Sequence, residues 1–221
     1  MLKSRYKDDT VVECGIDEAG RGCLWGPFYA GAVIWKNECD WTDEIRKLSE
    51  EIKDSKKLSA KKRDRIYEGI LTHGKVGVGI VTAQEIDDWG MSKANRTAFE
   101  RAIAALHTSP GRILIDGCLA INTEIEQIVE PQMDNMYISV AAASIVAKVS
   151  RDKWVTDYVE AHPELQERYS LITSKGYGTL KHRNGILAHG KDIYHRDLFL
   201  RKLLGNSKNT QDTTCAFLEE I

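Results

Sequence analysis

The sequence predicts an α/β protein: a mixed five-stranded sheet flanked by helices, with a C-terminal helical lobe. Three observations carry this. Strand-like runs come as three in succession, then alternate with helical stretches. A long alanine-rich helical stretch occupies 139–160. The last third, from about 160 to 204, is helical in pattern. Consecutive strands and βα alternation together describe a mixed sheet with helices on its faces.

Residues 11–17 and 27–35 read as strands separated by a glycine-rich turn. A polar stretch follows. Ser59 is a natural N-cap for a helix over 60–73. Residues 75–81 alternate as a third strand. Ser92 is expected to cap a helix running to about His107, which Pro110-Gly111 terminates. Residues 112–117 form a short apolar strand of the kind buried on both faces. A helix near 121–126 and a strand near 127–130 come next, and Pro131 suits a strand end. After the long helix, 163–170 is helical, 175–179 is a loop, and 180–188 and 192–204 are helical. One domain is expected over 1–204, with a polar, flexible tail over 205–221.

The chain has 221 residues and a net charge of −2. No run of about eighteen apolar residues marks a transmembrane helix. The first residues lack the apolar core of a signal peptide, so a cytoplasmic location without membrane contact is expected. Asn95-Arg96-Thr97 then reads as a chance sequon. The five cysteines are scattered and contain no Cys-x-x-Cys pair, which fits reduced thiols. Charge is unevenly placed. Residues 53–65 hold seven Lys/Arg against two Asp, and residues 175–202 hold seven against two. Each segment is a solvated face or a phosphate-binding surface.

The chemistry lies in acids at the ends of apolar strands. Asp17 and Glu18 close the first strand, Asp116 ends the buried strand, and Asp134 stands between the last strand and the long helix. Strand ends of an α/β sheet are where sites form. Neighbouring strand residues point to opposite faces, so Asp17 and Glu18 share a site only where the chain bends at Ala19-Gly20. Converging carboxylates repel unless cations bind between them. Two divalent ions about 4 Å apart, Mg²⁺ or Mn²⁺, suit such a set. The turn Gly20-Arg21-Gly22 allows close approach of a sugar or phosphate. It is not a dinucleotide fingerprint, because a strand and not a helix follows. His182, His189 and His195 are spaced by seven and six and read as structural residues rather than metal ligands.

Five blocks in this order resemble the ribonuclease HII (type 2 ribonuclease H) family: 15–24, 54–59, 115–117, 139–152, and 175–179 with His182. The resemblance runs from about Val11 to about Leu203. It implies a ribonuclease H-like fold. It implies an endonuclease that hydrolyses the RNA strand of RNA–DNA hybrids and cuts 5′ of single ribonucleotides in duplex DNA, leaving 3′-hydroxyl and 5′-phosphate ends. It implies Asp17, Glu18, Asp116 and Asp134 as catalytic and metal-binding acids. Gly20, Arg21 and Gly22 would read the 2′-hydroxyl, the group that separates RNA from DNA. Tyr177 would pack on the following deoxyribose, and Lys56 and Lys57 are candidate phosphate contacts. A salt bridge between Lys148 and Asp152 is as natural as a substrate role for either.

The sequence departs from the family at Gln132-Met133, where a lysine and a small residue are usual, and at Trp25, Phe28-Tyr29 and Cys118. A monomer is expected. The tail segment Cys215-Ala216-Phe217-Leu218 lacks the paired aromatics of a clamp-docking peptide, so a sliding clamp is an open partner without support. A catalytically silent hybrid-binding protein is the rival of another class, which the intact acid set disfavours. Ribonuclease HIII is disfavoured by the turn that follows the acids.

Overall fold

In the computed structural model, which describes residues 2–205, the chain forms five strands and nine helices of at least four residues. The strands are β1 (Glu13–Ala19), β2 (Phe28–Ile34), β3 (Lys75–Val81), β4 (Arg112–Asp116) and β5 (Glu126–Glu130). The helices are α1 (Asp43–Glu51), α2 (Ala60–His73), α3 (Ala83–Trp89), α4 (Met91–Ala104), α5 (Ile138–Ala161), α6 (Pro163–Tyr169), α7 (Leu171–Ser174), α8 (Leu180–His189) and α9 (Asp197–Leu200). Sheet order is β3-β2-β1-β4-β5. The first three strands pair antiparallel, and β4 and β5 extend the sheet in parallel with β1. The C-terminal ends of β1 and β4 therefore lie side by side, at the place expected for a site.

Helix α5 lies across one face, against β1 and β2, and α4 lies on the other, against β3 and β2. Both contacts use the same device. A Cβ at Gly15 would collide with the backbone of Ser139 and Val140, and one at Gly31 with the carbonyl of Ala143. On the opposite face a Cβ at Gly79 or Gly77 would strike the carbonyl of Ala98 or Ala102. Glycine on the strand brings the backbones together, with alanine on the helix opposite Gly31, Gly77 and Gly79. α5 is buried nearly all round along its first half, because α2 covers the side away from the sheet. At the other end of β1, Arg112 bridges Glu13 at 2.6 Å, Asp9 at 2.7 Å and Glu126 at 2.9 Å, tying the starts of the parallel strands.

The C-terminal lobe has its own core of Trp25, Val155, Val159, Leu165, Tyr169 and Ile186. Trp25 explains one departure from the family: it is fully buried, and its indole N–H donates to Asp192 at 2.8 Å. Met133, another departure, is buried against Leu114, Tyr137 and Val140.

Several expectations need correction. No helix forms over 121–126. The Gln127 side chain accepts from Ile121 N–H at 2.9 Å and donates to the Ile121 carbonyl at 3.0 Å, and the Thr123 hydroxyl accepts from Ile125 N–H, so side chains take the groups a helix would need. Gly90 rather than Ser92 is the cap residue of α4. Gly90 has φ 76, closes α3 through Ile86 and opens α4 through Ala94, so one glycine serves both helices. Only Asp197–Leu200 of the expected 192–204 helix is α-helical, because 194–196 pairs with the strap 24–26 instead. The expected tail over 205–221, including 215–218, lies outside the described residues from 206 onward.

Gly31→Val should push α5 off β2 and lower stability by about 1–3 kcal/mol, the scale of overpacking in a tight contact. Chemical denaturation checks this, and an unchanged midpoint would contradict the close-approach account.

Candidate active site

Asp17 leaves β1 on the α5 face. Its carboxylate accepts from Glu18 N–H at 2.7 Å and interacts with Ser144 of α5, whose hydroxyl lies 2.8 Å from that of Ser55. Asp116, the last residue of β4, accepts from Met133 N–H at 2.9 Å. That bond fixes the 133–135 turn against the strand end and delivers Asp134, whose carboxylate accepts from Asn135. Asp17, Asp116 and Asp134 each offer an oxygen, and the three oxygens lie within 4.8 Å of one another. This is a metal-sized cluster of hard donors, the ligand type Mg²⁺ and Mn²⁺ prefer.

Glu18 stands beside this trio rather than in it. β1 continues through Ala19, so Glu18 points to the other face, where its carboxylate is 3.6 Å from Arg21 and Asn95 faces it from α4. Burial pushes the carboxyls up from their usual range. Asp17 rises well above it, with Glu18 and Asp116 adding repulsion, and Glu18 rises to about 7. Asp116 and Asp134 rise as well, burial leading in both. Lys56 opposes the rise at Glu18, Asp116 and Asp134, its positive charge favouring the ionised acids. Lys57 reaches Asn135 and comes 4.0 Å from Asp54.

The Gly20–Gly22 turn follows β1 directly. Gly20 has φ 85, and a Cβ there would strike the guanidinium of the buried Arg151. Arg151 donates to the carbonyls of Trp25, Pro27 and Lys175 at 2.7–3.0 Å. The loop bearing Tyr177 is stitched to this region, since Leu24 N–H donates to the Gly176 carbonyl at 2.9 Å. Tyr177 is 42% exposed, with Lys148 5.6 Å and Arg151 6.0 Å from its ring centre. Lys148 also bridges Asp152 at 3.0 Å, the structural role weighed for it.

Three residues near the acids escaped the sequence reading. Asp54, 8% exposed, repels Asp116 and Asp134. Its block drew notice for its lysines. Ser144 lies in the alanine-rich stretch over 139–160, which was read as a helix. Asn95 is 2% exposed, so the sequon is inaccessible, and its Nδ2 has no completed hydrogen bond although it faces Glu18.

The Ribonuclease HII family profile matches residues 14–202. A ribonuclease HII of Pseudothermotoga lettingae is 37% identical over 191 residues, covering 86% of this chain and 78% of that one. A ribonuclease HII of Fusobacterium nucleatum is 41% identical over 196 residues, covering 86% of each. The structure of the PCNA:RNase HII complex from Archaeoglobus fulgidus superposes with a TM-score of 0.68 at 26% identity, covering 92% of this chain and 98% of that one. The profile, the relatives and the shared architecture agree, and the chain belongs to the ribonuclease HII family.

Proposed function

We propose that the chain is a divalent-metal-dependent ribonuclease H that hydrolyses the RNA strand of RNA–DNA hybrids and cuts 5′ of single ribonucleotides embedded in duplex DNA. The endonuclease activity on RNA–DNA comes with the family. The observation that carries the finer reading is the juxtaposition of the acid trio with the Gly20–Gly22 turn.

The donor set fits the ion. Three carboxylates with raised pKa values are costly to ionise together without a cation, and Asp17, Asp116 and Asp134 would hold it, with Glu18 completing the site. Two bound Mg²⁺ or Mn²⁺ ions would supply a nucleophilic water and neutralise the leaving oxygen. The chain's own residues do the rest. Backbone groups of Gly20, Arg21 and Gly22 contact the ribose 2′-hydroxyl, which places the phosphate 5′ of that ribonucleotide against the acids. Lys56 and Lys57 draw phosphates without specifying sequence. Water adds to phosphorus as the bond to the preceding 3′-oxygen breaks. That oxygen leaves protonated as a 3′-hydroxyl, and the phosphate stays on the ribonucleotide. Tyr177 packs on the deoxyribose that follows.

No helix among the described residues is long and apolar enough to cross a membrane. A cytoplasmic monomer is part of the proposal. A sliding clamp is a candidate partner, because one structural neighbour was solved with PCNA.

Asp116→Asn should lower cleavage by about 100-fold or more, the scale on which loss of one electrostatic group acts. Binding of hybrid, followed in EDTA, should change little, and full activity would remove Asp116 from the site. Burial favours the protonated acids in the folded state. For Glu18, ordinarily 4.5 and raised to about 7, that contribution is complete below about 4.5 and is lost as pH rises through about 7. A bound cation favours the ionised acids, so the rise in Tm given by Mn²⁺ should be larger at pH 8 than at pH 5. Equal shifts would contradict cation binding by these groups.

A further inference from the structure

Arg196 and His195, at the entrance to α9, occupy a position the function above leaves unused. Arg196 is fully buried, and no carboxylate among the described residues lies within ion-pair distance of it. Its Nη1 donates to the Gly20 carbonyl at 2.7 Å and the Arg21 carbonyl at 3.2 Å, its Nε donates to the Gly26 carbonyl at 2.9 Å, and its Nη2 makes no hydrogen bond. Burying an unpaired cation is costly. The return is geometric, since the planar guanidinium grips carbonyls at both ends of the glycine-rich turn from behind.

His195 reaches the other reading element. Asp192 N–H donates to His195 Nδ1 at 2.8 Å, so that nitrogen carries no proton. His182 Nδ1 lies 2.9 Å from the Tyr177 carbonyl, which only accepts, so His182 Nδ1 carries the proton. One arrangement remains for the 3.0 Å contact between the two Nε2 atoms: His195 donates and His182 accepts. Both rings are then neutral, in keeping with burial, which lowers both and brings His195 to about 4. The chain of bonds runs from Asp192 through both rings to the backbone of Tyr177. The segment 194–196 is itself anchored to the strap 24–26 through Arg196 N–H to the Leu24 carbonyl at 2.8 Å and Gly26 N–H to the Tyr194 carbonyl at 2.9 Å.

We infer that Arg196 and His195 are positioning residues that set the spacing between the Gly20–Gly22 turn and Tyr177, and thereby the preference for a ribonucleotide followed by a deoxyribonucleotide. This rests on the proposed roles of that turn and of Tyr177. A reader of one sugar step needs its two contacts at a fixed separation, and adjacent residues of one extended segment hold both from the rear. Continuous hybrid offers many registers and depends less on that separation.

The test uses the full chain with Mg²⁺ and compares kcat/KM on a DNA duplex containing one ribonucleotide with kcat/KM on a continuous RNA–DNA hybrid. The variants are Arg196→Lys, which keeps the charge but loses the fork, and His182→Asn, which keeps a donor to the Tyr177 carbonyl but cuts the link to His195. Tyr177→Ala is the control. The ratio of single-ribonucleotide to hybrid cleavage should fall about tenfold in each positioning variant and in the control. An equal fall on both substrates in Arg196→Lys and His182→Asn, with the control still shifting the ratio, would reduce the segment to a scaffold and overturn the inference alone. An unchanged ratio in Tyr177→Ala would overturn the junction reading itself, and the inference with it. Loss of folding lowers both rates together, and if Arg196→Lys does not fold, His182→Asn decides.

Discussion

Carboxylate repulsion at the adjoining ends of two parallel strands is the constraint around which this molecule is arranged. Asp17, two residues before the end of β1, neighbours Asp116 at the end of β4, and Asp134 is brought to them by one backbone bond to Asp116. Two like charges at about 5 Å repel by about 3 kcal/mol at an effective dielectric of about 20. The fold tolerates this because other elements hold the acids in place. Ser144 from the covering helix steadies Asp17, and the positive charge of Lys56 offsets part of the repulsion. A rigid, partly dry cluster of oxygens with raised pKa values would exchange protons for a divalent ion at little structural cost.

That rigidity comes from the two faces of the sheet. Gly15 and Gly31 let α5 reach the backbones of β1 and β2, and Ser144 arrives near Asp17 for that reason. Gly77 and Gly79 do the same for α4, whose Asn95 faces Glu18. The helices that build the core are thus the ones that furnish the inner wall of the site. The C-terminal lobe adds the second half. Its buried arginines have backbone carbonyls as partners, so the glycine-rich turn and the Tyr177 loop are held from behind.

Strand positions and the main helices were legible in the sequence because their patterns are local. The strand over 75–81 alternates, and Ser59 caps the helix over 60–73 as expected. Asp17 and Asp116 stood out because each follows an apolar run, whereas Asp134 was assigned through the family resemblance. Two helices escaped for different reasons. α1 is polar, with only Ile45 and Ser49 buried. α3 carries a capping box at Thr82 and Glu85 that was readable from spacing alone. The division of the acids was not readable: whether Glu18 joins Asp17 depends on where β1 stops pairing, and pairing with Ala30 keeps it extended. Nor was the 192–196 segment, a turn followed by a single bridge, since its form depends on a partner about 170 residues away in the chain.

The most direct test of the account is cleavage of a labelled DNA duplex carrying one ribonucleotide, with Mg²⁺, with Mn²⁺ and with EDTA, and with the cut position mapped. The account predicts cutting only with a divalent ion, at the phosphate 5′ of the ribonucleotide, leaving a 3′-hydroxyl on the upstream strand. Binding without cutting in either metal, or cutting that persists in EDTA, would contradict it.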